Sequence, residues 1–361
     1  MKKKYFFLAV CLLVLISVIQ VIGCGNGTEG ESSGVAGTEG AEGTEGLPSM
    51  LTIGTHAMSS LYNTMGSGIA TVASKHTPVE VKAIATSGPI EWFPMFINGE
   101  MDMGVLNCWD AKMGWLGESD YAAISGGEGF PVRLLTNGAF SIYSALVAED
   151  SGIKTAQDLK GKSFIVYYTG AAGITAQSKA FLANHNLTED DVNVISVPSI
   201  SDGVKAIIER RADCAGSANV GFALVEELEA TRGARFLAFD PSPEAVERAQ
   251  KEFTLYPIEV EPGPGFTGVR EPMTMMAYDI YLVGRTDLSD EAAYAMVEAI
   301  WEHNEELAAI HLRLQEWKTE RFVTDQATIP YHPGAIKFYK EKGVWSEEMD
   351  ALQEELLSLE Q

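Results

Sequence analysis

SGIKTAQDLKGKSFIVYYTGAAG, residues 151–173, combines a capped turn, a buried strand and a loop of small residues leading into a helix. Thr155 and Asp158 have the spacing of a capping box, and Gly161 suits the left-handed stop that closes a short helix. Ser163 to Tyr168 supply a β-branched and aromatic strand. Thr169, Gly170, Ala171, Ala172 and Gly173 then carry almost no side-chain bulk. A loop of that kind can bring backbone N–H groups and a helix start close to a ligand, so an anionic or electron-rich solute is expected there.

The same alternation runs outward in both directions. Leu51 to Gly54 read as a strand, with Met65, Ile69, Val72 and Ala73 at helical spacing after it, which leaves Thr55 to Leu61 as a polar strand-to-helix loop. Val79, Val81 and Ala83 alternate with charged residues as a second strand. Pro89 suits the first position of the following helix, Asn98-Gly99 its stop, and Pro94 is expected to kink it. Met101 to Leu106 form a third strand, ending at Asn107-Cys108-Trp109-Asp110. This β-α-β-α-β order implies a parallel sheet with ligand contacts at the carboxyl ends of its strands. Val132–Thr136 and Ile142–Ala148 read as two strands leading to a second lobe. There Ser163–Tyr168, a helix after Gly173, Val192–Val197, a helix from Ser201 and a strand around Cys214 repeat the pattern. The Pro- and Gly-rich segment Glu259 to Arg270 reads as the return crossing. From Glu291 onward the chain is amphipathic and helical, with Trp301, Leu307, Leu314 and Trp317 as packing anchors.

The N-terminus stands apart. Lys2, Lys3 and Lys4 precede an apolar run from Phe6 to Ile22 that ends in Val21-Ile22-Gly23-Cys24, a lipoprotein signal pattern in which Cys24 would be lipidated. The alternative is a membrane anchor of about 17 residues, at the short limit for spanning. Either reading puts the rest of the chain outside the cytoplasm, tethered to a membrane. Residues 24–48 form a flexible spacer, with Gly-Thr-Glu-Gly recurring at Gly27, Gly37 and Gly43. The 361 residues leave room for two domains with sizeable cores beyond it. With 26 Lys+Arg against 50 Asp+Glu, a net charge of −24, the chain offers no basic face for nucleic acid.

Catalytic patterns are missing from the sequence, so a binding role is expected rather than an enzymatic one. There is no G-x-S-x-G elbow or P-loop. Gly263, Gly265 and Gly268 match G-x-G-x-x-G, but Pro262 and Pro264 interrupt it and no strand-to-helix context surrounds it, so no dinucleotide or other cofactor is expected. His303, Glu306 and His311 share part of a helix face without the spacing of a zinc site, and a solvated face is the better reading. Cys108 and Cys214 fall on strands of different lobes, and a disulfide between them would lock the lobes, so free buried thiols are expected. The loop ends carry the candidate ligand contacts: Thr55, Ser59, Ser60 and Tyr62 on one loop, Ser87, Gly88 and Trp92 on the next, Asn107 and Trp109 on the third. Trp92 and Trp109 read equally well as core packing, because tryptophan mostly buries.

Residue by residue, the chain resembles the TAXI family, the solute receptors of tripartite ATP-independent periplasmic (TRAP) transporters. The similarity is carried by Gly54-Thr55, by Tyr62 and Gly66 within Ser60–Gly66, by Ser87-Gly88, by Gly99-Glu100-x-Asp102, by Gly170–Gly173, and by Glu261 to Gly268 with Phe266 at the position of a family tyrosine. Ser60, Asn63, Pro89, Trp92 and Asn107-Cys108-Trp109 depart from the family's polar pattern. The resemblance covers Leu51 to about Trp345. It implies an α/β protein of the type II periplasmic-binding-protein fold, with two lobes around a hinged cleft: residues 49–138 plus 255–361 as lobe I, and 139–254 as lobe II. It further implies an extracytoplasmic receptor that delivers a small organic solute, a carboxylate or amino acid, to a TRAP-type permease, with Phe266 covering the site. Three alternatives stay open: an aromatic or cationic solute caged by Tyr62, Trp92, Trp109 and Phe266, a receptor for an ATP-driven (ABC) importer, and a sensor.

Overall fold

The computed structural model describes residues 46–58 and 60–360. The first half of the chain builds strand β1 (Met50–Thr55), helix α1 (Leu61–His76), β2 (Glu80–Ala85), α2 (Pro89–Ile97), β3 (Met103–Asn107), α3 (Cys108–Leu116), α4 (Asp120–Ser125) and β4 (Val132–Ala148). There follow β5 (Ser163–Tyr168), α5 (Ala172–Asn184), β6 (Asn193–Val197), α6 (Ile200–Ile208), β7 (Cys214–Asn219), α7 (Ala223–Arg232), β8 (Ala234–Phe236), α8 (Pro243–Gln250), β9 (Tyr256–Val260) and β10 (Met273–Arg285). The C-terminal part is helical: α9 (Asp290–Glu302), α10 (Asn304–Ile310), α11 (Pro333–Glu341) and α12 (Glu347–Leu357).

All ten strands join one hydrogen-bonded sheet, in the order β2-β1-β3-β10-β4-β7-β5-β6, with β8 and β9 pairing off that path. Two parallel triplets, β2-β1-β3 and β7-β5-β6, sit at its ends. Between them the long antiparallel strands β10, paired with β3, and β4, paired with β7, join the two triplets by pairing with each other. The sequence reading of residues 132–148 as two strands is therefore corrected: β4 is one strand of 17 residues that runs through Asn137-Gly138 without turning, because β10 pairs with it on both sides of that point. Its first part pairs with the half of β10 beside β3, and its last part with β7 and β8. A register irregularity between Asp279 and Tyr281 marks the change. Arg321 braces this point, donating to the Gly138 carbonyl at 2.9 Å and to Asp279 at 2.6 Å.

The return crossing also differs from expectation. Residues 259 and 260 end β9, the rest of the segment lies in the loop of residues 261–272 between β9 and β10, and β10 itself makes the crossing. Val260, Val269, Met273, Met275 and Ala277 pack in one cluster with Ile142, Ile165, Val204 and Ala215, so the chain from β9 to the middle of β10 packs with the second lobe rather than with lobe I. The apolar faces of β9 and early β10 are covered there by β4 and the helices behind it, which a boundary at residue 255 could not anticipate.

An internal repeat ties each half together in the same way. Thr52 donates its backbone N–H and hydroxyl to the Asp102 carboxylate at 2.9 and 3.0 Å, and the Asp102 N–H donates back to the Thr52 hydroxyl at 3.1 Å. Ser163 and Asp213 make the same three bonds, at 2.9, 2.7 and 2.9 Å. In each half a hydroxyl residue at the start of the central strand is locked to an aspartate just before the third strand, so the two β-α-β-α-β units share register as well as order. The expected capping box of Thr155 and Asp158 is present, and Gly161 has φ +71°.

Trp92 belongs to the core. It is fully buried on α2, and its indole lies over the backbones of Gly54 on β1 and Gly104 on β3, with Phe93 and Phe96 at ring-centroid distances of 4.5 and 5.2 Å. A Cβ at Gly54 would meet the indole Cγ at 2.8 Å. The two glycines thus make the slot that the indole fills. Gly54→Ala is expected to destabilise the protein by ~1–3 kcal/mol through overpacking, and Trp92→Ala by ~3–5 kcal/mol through cavity formation. Both are read from urea unfolding midpoints, and a Trp92→Ala variant as stable as the parent would remove Trp92 from the core.

Candidate functional site

A cavity of about 200 Å³ lies between the two triplets. Lobe I contributes His56, Ser60, Tyr62, Asn107 and, from far along the chain, His311 and Arg313. Lobe II contributes Ile174, Ile200 and the segment Asn219–Ala223, and Tyr278 of the crossing strand β10 completes the lining.

The polar groups are joined in a chain. The Tyr62 and Tyr278 hydroxyls are 3.2 Å apart, and the Asn219 amide donates to Tyr278 at 3.0 Å and to the Ser141 hydroxyl at 2.9 Å. The His56 ring stacks on Tyr62 at 4.2 Å with an interplanar angle of 19°. Its Nε2 is buried with no hydrogen-bond partner in the structure, and burial pulls the ring down to a pKa of about 4, which keeps it neutral at physiological pH. Arg313 is the cation of the cavity. It pairs with no carboxylate among the described residues, it donates to the Val220 carbonyl, and burial lowers its pKa from the ordinary arginine value. His311 holds this segment in place by accepting the Arg313 backbone N–H on Nδ1 at 3.1 Å.

Of the residues expected from sequence, Ser60, Tyr62 and Asn107 line the cavity. Ser60 is also the N-cap of α1, accepting from the Asn63 N–H at 3.1 Å. Thr55 is buried beneath the site, donating to the carbonyls of His56 and Ile84 and accepting from the Asn63 amide at 2.9 Å; it shapes the loop without lining the cavity. Ser59 and Cys24 lie outside the described residues. Ser87 is exposed and is bound to Glu91 by its N–H and hydroxyl at 2.8 and 2.7 Å.

Four further expectations are corrected. Trp92 is core, as described. Trp109 is buried against Phe253, at a centroid distance of 5.8 Å, and does not line the cavity. Phe266 packs against the apolar cluster of the second lobe and covers nothing at the site. The loop Thr169–Gly173 is also not an open anion cradle here, because its first three backbone donors are taken and the Asp110 carboxylate stands against its end. Thr169 and Gly170 donate to Val197 and Pro198 at 3.0 Å each, Ala171 donates back to Tyr168 at 2.9 Å, and the Asp110 carboxylate lies so close to Gly173 that a Cβ there would come within 2.6 Å of it. The start of α5 has its anion already, supplied by the protein.

That anion joins the lobes. Asp110 is fully buried on α3, where Asn107 and Tyr121 donate to it at 2.6 and 2.8 Å and the first turn of α5 faces it. Nearby, Gly88 and Gly170 meet: a Cβ on Gly88 would come within 3.1 Å of the Gly170 carbonyl, and the Gly88 φ of +146° favours glycine as well. The small residues of both loops therefore allow lobe-to-lobe contact, and Ile174 is the first residue of α5 to reach the cavity. Cys108 and Cys214 are free and buried.

His311, Arg313, Asn219 and Tyr278 carried no signal that sequence reasoning could use. Arg313 sits in Leu312-Arg313-Leu314, where a cation flanked by leucines in an amphipathic stretch reads as an ordinary surface residue.

Residues 53–343 match the family described as NMT1-like. Among solved structures, PhnD1 from Prochlorococcus marinus in complex with methylphosphonate is 10% identical over 82% of this chain and 100% of that one, with a TM-score of 0.52. A binding protein component of an ABC phosphonate transporter from Pseudomonas aeruginosa is 15% identical over 86% of this chain and 99% of its own, at a TM-score of 0.48. The periplasmic aliphatic sulphonate binding protein SsuA from Escherichia coli is 13% identical over 85% and 92%, at 0.44. The fold is the two-lobed α/β fold of type II periplasmic binding proteins, with the cavity in the cleft. Among the described residues no helix is long and apolar enough to cross a membrane.

Asp110 generates a pH prediction. Burial pushes its carboxyl up to about 6 from an ordinary 3.8, so the folded protein holds a proton that the unfolded chain has already lost. The stability contributed by this group is complete below about pH 4 and is lost as the pH rises through about 6. The unfolding free energy of the parent minus that of Asp110→Asn, from urea titrations, is expected to fall steadily across that window. A difference independent of pH would show that the carboxyl is not buried against α5.

Proposed function

From the premise that this chain belongs to the NMT1-like family, we propose that it is an extracytoplasmic solute receptor, capturing a small organic acid in the interlobe cavity and delivering it to a TRAP-type membrane permease. The observation that carries this reading is Arg313, a half-buried guanidinium without a carboxylate partner among the described residues, in a cavity that both lobes line. A guanidinium offers several donors in a fixed fork that suits a carboxylate, and such charge-assisted bonds are the strong ones. The Tyr62 and Tyr278 hydroxyls, the Asn219 amide and the free Nε2 of His56 complete the polar contacts, while Ile174, Ile200 and Phe222 accept an apolar body. At about 200 Å³ the space is smaller than the ~300–1,000 Å³ of drug-sized sites, which favours a compact solute.

Solute contacts from both lobes favour the closed arrangement, since only that arrangement offers all of them. The lobes divide within the β4/β10 pair, near Gly138 and the Asp279–Tyr281 irregularity. Delivery to a TRAP-type permease rests on the TAXI resemblance; lipid attachment at Cys24 rests on the signal pattern that precedes it. The aromatic-cage reading loses its basis, because Trp92, Trp109 and Phe266, three of its four walls, stand away from the cavity.

The solute is tested by mass spectrometry of small molecules released when the full chain, purified from rich medium, is denatured. A stoichiometric carboxylate is the expected result, whereas a sulfonate or phosphonate would move the solute class and a quaternary amine would overturn the reading. Arg313→Ala is expected to weaken binding of the released acid about 30-fold, ~2 kcal/mol, as measured by calorimetry. Tyr62→Ala is expected to weaken it severalfold, and unchanged affinity in both variants would empty the proposed site. Crosslinking in native membranes separates permease types: a TRAP membrane subunit supports the proposal, and an importer with an ATPase subunit replaces it.

A further inference from the structure

Away from the cleft, three side chains from distant parts of the chain converge on one face of lobe I. His76 is the last residue of α1, His303 joins α9 to α10, and Glu306 lies in the first turn of α10. The His76 Nε2 is 3.2 Å from both oxygens of Glu306, and the His303 Nδ1 is 3.9 Å from one of them. The imidazoles lie face to face, with centroids 3.3 Å apart and planes inclined by 10°. One ligand atom from each of the three residues falls within 4.8 Å of the others.

We propose that His76, His303 and Glu306 form a surface site for a divalent transition ion of the zinc class, which links the end of α1 to the α9–α10 junction. Ligand atoms held at ~2.1 Å from a tetrahedral zinc are ~3.4 Å apart, and the two distances to Glu306 bracket that value. Two neutral imidazoles and one carboxylate suit zinc, nickel or copper(II), and disfavour magnesium and calcium, which take oxygen ligands. Position favours a cation as well, since His76 sits at the carboxyl end of a 16-residue helix. Without metal, the Lys75 ammonium binds Glu306 at 2.7 Å and serves as its counter-charge. Lys75 is 61% exposed and free to swing into solvent when an ion takes its place. The His303 side chain, 36% exposed and making no hydrogen bond among the described residues, is able to turn its ring edge to the same point, leaving one or more positions for water. In sequence His303 and Glu306 share part of a helix face with His311, which reads as solvated; in the fold His311 faces the solute cavity, and it is His76, from the end of α1, that stands beside them. An ion here would fix α10, which leads directly into His311 and Arg313.

The test is calorimetric titration of the full chain, purified without a polyhistidine tag and freed of metal, with zinc chloride and with magnesium chloride. One zinc per chain and no magnesium binding are expected, with His76→Ala and His303→Ala each loosening zinc about tenfold or more. Cobalt(II) added to the unaltered protein is expected to give the absorption bands of a four- or five-coordinate site, a readout that needs no variant. Absence of zinc binding, or binding that survives both substitutions at His76 and His303, overturns the site.

Discussion

The pairing of β4 with β10 is the constraint on which the rest depends. β10 pairs with β3 of one triplet, β4 pairs with β7 of the other, and the two strands pair with each other along their length, so two lobes share one sheet and their loop ends face each other across the centre. The cavity forms there as a consequence of connectivity, at the carboxyl ends of strands that point toward the cleft from both sides. The brace of Arg321 on Asp279 and Gly138 sits where the two strands change partners, which makes the crossing point the natural place for relative movement.

Charge is organised around that centre in two layers. The start of α5 is satisfied by Asp110 from the opposite lobe, so a helix terminus that could have held a ligand holds the lobes together instead. A buried carboxylate of this kind is tolerated because Asn107 and Tyr121 both donate to it and the start of α5 faces it. Arg313 then remains as the cation that faces the cavity without a carboxylate partner among the described residues. One lobe-to-lobe contact is thus internal, through Asp110, and the other is open to a solute.

Local signals in the sequence were strong wherever one element decides the outcome. The Thr155–Asp158 capping box, the left-handed Gly161, the start of α2 at Pro89 and the β-α-β-α-β alternation all depend on residues near one another in the chain. Ser60, Tyr62 and Asn107 were legible for the same reason, since each sits at the end of a strand or the start of the helix that follows it. Trp92 and Trp109 misled because an indole at a loop end looks the same whether it faces a cleft or a pair of glycines in neighbouring strands. Only packing separates the two cases.

What the sequence determined by itself is the succession of elements, the repeat of one unit in two lobes, and the small-residue character of the facing loops, because turns, caps and periodicity are short-range properties. The tertiary structure alone decided that β4 and β10 are shared, that Asp110 rather than a solute meets α5, and that Arg313 and His311 reach the cavity from the C-terminal region. The physical reason is the same in each case. These contacts join residues far apart in sequence, and nothing in either partner's local pattern specifies the other until the sheet brings them within hydrogen-bonding distance.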